Sequence, residues 1–351
     1  MSSLFLQLAA SERREALNVA AAASGRPLHL LDKDVWLVWA LDVLFRAPFA
    51  DHLVFKGGSS LSKAYGIIKR FSEDVDLTYD IRALAPDLVG PSAEPLPPNR
   101  SQEKRWSKEI RTRLPLWISD HVVPVLRNAL AEQKLSAEIS VDGEKAFIEY
   151  DPLAKGSGYT RPAVMLEFGA RSTGEPSELR PVRCDAADHV TSVIFPTASP
   201  RVMRPERTFW EKATAIHVFC EHGEFRGGDR FARHWHDLTR LDQAEVAGAA
   251  IADHALALAV ARHKSVFFAE RNLSGGAIDY EVAVSGGLHL VPVGKALESL
   301  AADYAEMVED GLLLGDAEPF DQLLEHCRNL QERANRQKGK GIAGGHAELY
   351  R

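Results

Sequence analysis

The sequence predicts a mixed α/β fold (α+β), with a mixed β-sheet in the first part of the chain and a mainly helical lobe after it. Three observations support this prediction. The segments SAEISVD, KAFIEYD and PAVMLEFGAR, between residues 136 and 171, alternate apolar and polar residues as strands do. From Pro205 onward the apolar residues recur at helical spacing. Earlier in the chain, a short apolar strand runs directly into two glycines and a helix.

The first elements follow from the spacing of their apolar residues. Leu17 and Ala20 predict one amphipathic helix, and Trp36 and Trp39 predict a second. A buried strand is then expected to end at Phe55, before a tight turn and a helix that starts near Ser59. The segment DVDLTY, residues 74–79, is the next predicted strand.

Prolines shape the prediction for the segment that follows. The stretch PDLVGPSAEPLPP, residues 86–98, is predicted to be a loop or lid. A helix is expected from about Gln102 to Glu132, with breaks near Pro115 and Pro124 because proline has no amide hydrogen to donate. The segment HVTSVIF, residues 189–195, is expected to add a strand to the central sheet.

These elements predict two lobes and a tail. Residues 1–204 are expected to form a lobe containing the sheet and the N-terminal helices, and residues 205–338 a helical lobe that completes the active site. The Gly-rich end, residues 339–351, is expected to be a flexible tail.

The stretch FKGGSSLSKAYGIIKRFSEDVDLTYD, residues 55–80, is the most informative for function. The N-terminus of a helix attracts phosphate because its amide hydrogens are unpaired. Asp74 and Asp76 stand at i and i+2 of a strand, so both carboxylates leave the same face. Hard oxygen ligands beside a phosphate cradle suit Mg²⁺ or Mn²⁺ bound with a nucleoside triphosphate. Each motif also occurs in ordinary turns and strand edges, but their order and separation favour a nucleotidyltransferase.

The composition of the chain restricts the cellular compartment and the binding partners that we expect for the protein. The 351-residue chain has three widely spaced cysteines, which is typical of a reducing compartment, and its N-terminus lacks the pattern of a signal peptide. Its most apolar later segment, residues 246–260, is too short to span a bilayer. We therefore expect a cytoplasmic protein without a membrane partner. The net charge of −7 means that any RNA contact needs a local basic surface.

Four motif pieces resemble the AbiEii nucleotidyltransferase family, the toxins of type IV abortive-infection and toxin–antitoxin systems, which includes MenT-like toxins. They are FKGGSSLSKAY, RFSEDVDL, PERTFWEKATAIHVF (residues 205–219) and RFARHWHDLTRL (residues 230–241). The resemblance spans roughly residues 30–241. It implies a polymerase β-like nucleotidyltransferase core, transfer of nucleotides to the acceptor end of tRNA, and a cognate antitoxin protein.

The same resemblance implies roles for individual residues. Asp74, Asp76, Lys212 and Asp237 are the expected catalytic residues, with Asp74 and Asp76 as metal ligands. The triphosphate is expected to contact a set formed by the turn and one arginine: Lys56, Gly57, Gly58, Ser59, Ser60 and Arg233. A simpler interpretation makes Lys212 a solvated lysine, and Arg233 with Asp237 an ordinary i, i+4 ion pair of a helix.

Glu167 is the candidate for a third carboxylate, as a general base or a third metal ligand, because it lies on a neighbouring predicted strand. The alternative is a plain ion pair with Arg171 or Arg161. The basic segment from Arg100 to Arg113, which includes Trp106, is the candidate RNA contact, and a solvated helix surface is the alternative.

Other functional classes remain open or are disfavoured. The same chemistry could act on a protein or small-molecule hydroxyl, and a nucleotide-binding interaction protein without turnover is a further possibility. A zinc set of Cys220, His222, His234 and His236 is disfavoured by its close spacing within each pair. A serine hydrolase is disfavoured because the chain has no G-x-S-x-G motif.

Overall fold

The structure is a computed structural model that describes residues 3–70, 72, 74–91, 95–154, 162–223, 230–309, 313, 315 and 317–336. The expected tail, residues 339–351, and Arg161 lie outside the described residues.

The chain forms two compact units, which we name the sheet unit and the helical unit. The sheet unit consists of residues 1–66 and 71–204. The helical unit consists of residues 67–70 and 205–351, so it includes a short segment that was expected in the first lobe.

The elements of the sheet unit account for the predicted helices and strands. Its helices are α1 (Ala10–Ser24), α2 (Leu28–Phe45), α3 (Gly57–Lys63), α4 (Ile81–Leu84), α5 (Pro86–Val89), α6 (Arg100–Trp117) and α7 (Val123–Glu132). Its strands are β1 (Ser3–Leu4), β2 (Leu53–Lys56), β3 (Asp74–Tyr79), β4 (Ala137–Asp142), β5 (Lys145–Tyr150), β6 (Ala163–Gly169), β7 (Ser177–Leu179), β8 (Val182–Arg183), β9 (Val193–Ile194), β10 (Thr197–Ala198) and β11 (Arg201–Met203).

The helical unit contains the remaining helices. They are α8 (Pro205–His222), α9 (Arg233–Gln243), α10 (Val246–Ala252), α11 (His254–Phe267), α12 (Tyr280–Val284), α13 (Lys295–Glu309) and α14 (Phe320–Asn335). The predicted apolar face of α8 is confirmed, since Phe209, Ala213 and Ile216 are fully buried. No helix in the described residues is both long enough and apolar enough to cross a membrane.

The central sheet has the strand order β4-β5-β6-β3-β2-β11-β7 and is mixed, as predicted. Strand β3 is parallel to β6 and antiparallel to β2, and both of its neighbours are interior strands. Because β3 is central, its apolar residues Val75 and Leu77 are fully buried on one face. The other face of β3 therefore presents Asp74 and Asp76.

Two sequence predictions about the sheet unit are wrong. The segment of residues 189–195 does not extend the central sheet, because only Val193 and Ile194 are extended and they pair with β1 in a separate two-stranded sheet. The Pro-rich stretch is not entirely a loop, because residues 86–89 form α5. Proline suits the first turn of a helix, where its missing amide hydrogen has no intrahelical acceptor.

The long predicted helix is interrupted, but not at the prolines themselves. Helix α6 continues through Pro115 to Trp117, residues 118–122 form a π-helical turn, and Pro124 lies in the first turn of α7. A π turn is wider than an α turn, so it accommodates the crowding that a proline imposes on the preceding residues.

Candidate active site

A row of charged residues crosses four neighbouring strands of the central sheet. Asp76 is the register partner of Glu167 on one side and of Lys56 on the other, and Glu167 is the partner of Lys145. Register partners of adjacent strands have side chains on the same face. Asp74, two residues before Asp76, shares this face. The sheet unit thus places three carboxylates on one surface, between two lysines.

Gly57 is required where it stands. Its φ is +75°, and a Cβ atom at this position would lie 1.9 Å from Oδ2 of Asp76. A glycine is therefore the residue that lets the start of α3 lie directly against the Asp76 carboxylate. The sequence predicts a turn here but not this close approach.

The Gly57→Ala variant is expected to lose activity because the added methyl group displaces the Asp76 carboxylate. Gly143→Ala is the matched control: its φ is +57°, so it suffers similar backbone strain, but a Cβ there meets no atom within 4 Å. Both variants should therefore lose about 1 kcal/mol of stability or more. Equal nucleotidyl transfer by the two variants would contradict this role for Gly57.

The two serines of the turn are buried and bonded to the backbone. The Ser59 hydroxyl donates to the main-chain oxygen of Asp74, and the Ser60 hydroxyl donates to the main-chain oxygen of Gly57 at 2.9 Å. Ser59 thereby ties α3 to the start of β3. Phosphate binding by Ser59 and Ser60 stays a prediction, and it would require these hydroxyl groups to change partners.

Glu167 pairs with Lys145, whose Nζ lies 3.3 Å from Oε2 of Glu167. This contact differs from the expected alternative, a pair with Arg171. Both side chains are about half exposed, so the ion pair is weak and can open. A role for Glu167 as third metal ligand or general base stays a prediction.

Helix α3 is also held at its C-terminal end. Lys63 Nζ lies 2.6 Å from Oδ1 of Asp34 on α2 and 2.6 Å from Oδ1 of Asp185. Burial alone would lower the pKa of Lys63, but the two carboxylates outweigh it and raise the pKa, so the lysine is charged. This network was not foreseen, because Asp34 and Asp185 are far from Lys63 in the sequence.

The helical unit contains a second charged cluster, formed by Arg70, Lys212 and Asp237. Arg70 donates two hydrogen bonds of 2.7 Å to the two carboxylate oxygens of Asp237. Lys212 Nζ lies 2.8 Å from Oδ2 of the same carboxylate. All three side chains are buried. Two cations therefore share one carboxylate out of contact with bulk water.

Burial and charge set the protonation of this cluster. Burial would raise the pKa of Asp237, but the Arg70 guanidinium and the Lys212 ammonium outweigh it and hold the pKa well below its usual range. Burial lowers the pKa of Lys212, and the Arg70 charge lowers it further against the pull of Asp237. Asp237 is thus firmly ionised, and Lys212 holds its proton less tightly than an ordinary lysine.

Arg70 was not among the predicted site residues, although it lies within the motif that was singled out. The i, i+4 ion pair between Arg233 and Asp237, which was the simpler interpretation, does not form among the described residues, since Arg70 and Lys212 occupy the carboxylate. Lys212 is also not the solvated lysine of the simpler interpretation. A contact between Arg233 and phosphate stays a prediction.

Paired strand carboxylates beside a glycine-led helix, on a mixed sheet, agree with the nucleotidyltransferase class that the sequence predicts. The sequence model described as "Nucleotidyl transferase AbiEii toxin, Type IV TA system" matches residues 39–326. The chain therefore belongs to the AbiEii nucleotidyltransferase toxin family, as the resemblance implied.

Solved structures with similarity to this chain have low sequence identity. The nucleotidyltransferase toxin MenT4 from Mycobacterium tuberculosis is 18% identical, with a TM-score of 0.41, and the match covers 94% of this chain and 99% of that one. JHP933 from Helicobacter pylori is 14% identical, with a TM-score of 0.39, and the match covers 89% and 94% of the two chains. No curated protein matches significantly.

Proposed function

We propose that this nucleotidyltransferase moves nucleotides from a nucleoside triphosphate to the 3′ end of an RNA, with tRNA as the acceptor. The observation that supports the chemistry best is the set of carboxylates on one sheet face, Asp74, Asp76 and Glu167, of which Asp76 and Glu167 are in register. They lie beside the glycine turn at the start of α3. Family membership supports a triphosphate donor and an antitoxin partner.

Carboxylate oxygens suit a hard divalent cation, and we propose Mg²⁺ or Mn²⁺. The ligand atoms of Asp74, Asp76 and Glu167 do not all lie within 4.8 Å of one another, so Glu167 would have to turn toward the two aspartates. Asp74 and Asp76 would hold it, with Glu167 as a third oxygen ligand once its pair with Lys145 opens. A bound divalent ion of this kind supplies positive charge for the triphosphate and the developing charge of the reaction.

In this proposal the remaining predicted residues bind the triphosphate or stabilise the departing pyrophosphate. The main-chain amides of Gly57 and Gly58, with Lys56, Ser59, Ser60 and Arg233, would bind the triphosphate oxygens. Lys212 would stabilise the charge of the departing pyrophosphate, because an ammonium group acts as a compact point charge. Asp237 and Arg70 would orient Lys212.

Lys212→Ala is expected to lower turnover more than triphosphate affinity, since the charge on the leaving group is greatest in the transition state. Turnover and apparent triphosphate affinity are measured separately. Lys295→Ala is the control for loss of an amino group, because Lys295 is exposed at the start of α13 and has no role in the proposed site. A Lys212→Ala variant with unchanged turnover would remove Lys212 from the catalytic residues.

A basic face on α6 supports the RNA acceptor. Arg100, Lys104, Lys108 and Arg111 are exposed and fall within an arc of about 80° on the helix. The other basic residues of the segment, Arg105 and Arg113, lie outside this arc. Trp106 is 5% exposed, so it packs inside the protein and does not offer a stacking surface for a base.

Replacing Lys104, Lys108 and Arg111 together with alanine should weaken RNA binding and reduce its salt dependence. The log–log slope is expected to fall by roughly one unit for each RNA phosphate that no longer has a cationic partner. Triphosphate affinity should be unchanged, because the turn at Gly57 is on another element. An unchanged RNA affinity and slope would move the RNA surface elsewhere, for example to the basic residues from Arg328 onward.

The reaction itself is tested by label transfer. Each of the four triphosphates, labelled on its α-phosphate, is incubated with the protein and separately with total RNA, a metabolite extract and a protein extract. Label in the RNA fraction supports the proposal. Label in protein or metabolites would favour another hydroxyl acceptor, and no label in any fraction would favour a binding protein without turnover.

We place this reaction in the cytoplasm, where triphosphates and tRNA are available. Cys184, Cys220 and Cys327 are all free thiols, which agrees with a reducing compartment.

A further inference from the structure

One group of metal-ligating side chains in the helical unit has no part in the proposed reaction. It consists of His217 and Glu221 on α8 and His289 in the segment between α12 and α13, and one ligand atom from each lies within 4.8 Å of the other two. Among the described residues no other group of three or more such side chains meets this distance. This group shares no residue with the zinc set of Cys220, His222, His234 and His236 that the sequence analysis disfavours.

We infer that His217, Glu221 and His289 form a binding site for a transition-metal ion such as zinc, separate from the candidate active site. His217 and Glu221 are at i and i+4, so they lie on the same face of α8, a spacing that zinc sites on helices use. Two imidazole nitrogens and one carboxylate oxygen suit zinc, with a fourth position left for water.

The distance between the Glu221 and His289 ligand atoms needs only a small adjustment to fit an ion. Nδ1 of His289 lies 2.6 Å from Oε1 of Glu221. Ligand atoms bonded to one zinc ion at about 2.0–2.2 Å are roughly 3.3 Å apart in a tetrahedral site. Glu221 and His289 would therefore separate by less than about 1 Å, and both side chains are partly exposed and able to move.

The backbone around His289 is fixed by neighbouring helices. Leu288 exchanges hydrogen bonds of 2.9 and 3.0 Å with the side chain of Asn335 on α14. The Leu290 amide donates to Gln331 at 2.6 Å, and the Leu290 carbonyl accepts from the Trp235 indole at 2.8 Å. These contacts hold the residues on either side of His289 in position, so the segment stays beside α8.

His217 would be the least mobile ligand. Its Nδ1 accepts a hydrogen bond of 3.1 Å from the His289 amide, which marks this nitrogen as the one that carries the lone pair. Burial lowers the pKa of His217 to about 4, so the ring is neutral at pH 7. Binding through Nδ1 would therefore require the His289 amide to give up this hydrogen bond and shift away from the ring.

The competing explanation is a hydrogen-bonded trio that binds no ion, and zinc titration separates the two. The full-length protein with Asp74→Asn and Asp76→Asn is stripped with a chelator, so that zinc does not bind at those carboxylates. It is then titrated with zinc in the presence of a chromogenic zinc indicator. We expect one zinc equivalent, and an affinity at least about tenfold lower after His289→Ala or Glu221→Gln.

His326→Ala is the matched control, because His326 also pairs with a carboxylate, Asp242, at 2.9 Å but belongs to no such group. Zinc should raise the thermal midpoint of the parent protein and of the His326→Ala variant, but not that of His289→Ala. His289 is 55% exposed in its side chain, so its loss does not threaten folding. Equal zinc stoichiometry and affinity in the parent and His289→Ala proteins would overturn the inference.

Discussion

Replacing either Asp74 or Asp76 with asparagine is expected to lower nucleotidyl transfer by more than about a thousandfold, which corresponds to roughly 4 kcal/mol in the barrier. The carboxamide is neutral and a poor ligand for a hard divalent cation. Both side chains lie on the open face of β3, opposite the buried Val75 and Leu77. The change should therefore leave the fold intact.

Asp142→Asn is the matched control for this prediction. Asp142 is an exposed strand carboxylate at the end of β4, in the same sheet but away from β3 in the strand order. Its loss should change neither activity nor thermal stability. An Asp76→Asn protein that kept more than about a tenth of wild-type transfer in Mg²⁺ would rule out the assigned metal ligands.

The second large effect is expected for Asp237→Asn, which should destabilise the protein by about 3–5 kcal/mol. The variant would remove the charge of the buried carboxylate that both Arg70 and Lys212 contact. Because the pKa of Asp237 is lowered in the folded protein, its stabilising effect is fully present above about pH 4 and is lost as the pH falls through the lowered value. Chemical denaturation at pH 7 measures the difference.

Glu281→Gln is a suitable comparison, since it removes a carboxylate from an exposed ion pair, 3.7 Å from Arg262. Pairs of this kind contribute less than about 1 kcal/mol. Arg70→Lys should also be destabilising, because a lysine cannot donate the two parallel hydrogen bonds that Arg70 gives Asp237. If Asp237→Asn were no more destabilising than Glu281→Gln, the buried cluster would not have the role assigned to it.

Local sequence patterns were sufficient for the longer helices and for five of the seven strands of the central sheet, but not for β7 and β11. The alternation in DVDLTY predicted that Asp74 and Asp76 share one strand face, and β3 confirms it. The helical spacing of α8 predicted its buried face in the same way. These patterns depend on the two periodicities of the backbone, which need no knowledge of distant contacts.

Contacts between distant parts of the chain could not be predicted in this way. Arg70 contacts Asp237, which lies 167 residues later in the sequence. The His289 amide contacts His217, which lies 72 residues earlier. The segment around Val193 looked like a strand of the central sheet but pairs with β1 instead. Strand pairing and ion-pair partners are set by tertiary packing, and a single sequence does not specify them.

The most direct measurement follows a labelled nucleotide onto a defined tRNA. Purified tRNA with an intact 3′ end, and the same tRNA with its terminal diol destroyed by periodate, are incubated with each α-labelled triphosphate and Mg²⁺. The wild-type protein is expected to lengthen the intact tRNA alone, and the Asp76→Asn protein is expected to lengthen neither. Equal labelling of the two tRNAs, or labelling that persists in the Asp76→Asn protein, would contradict transfer to the RNA 3′ end by these carboxylates.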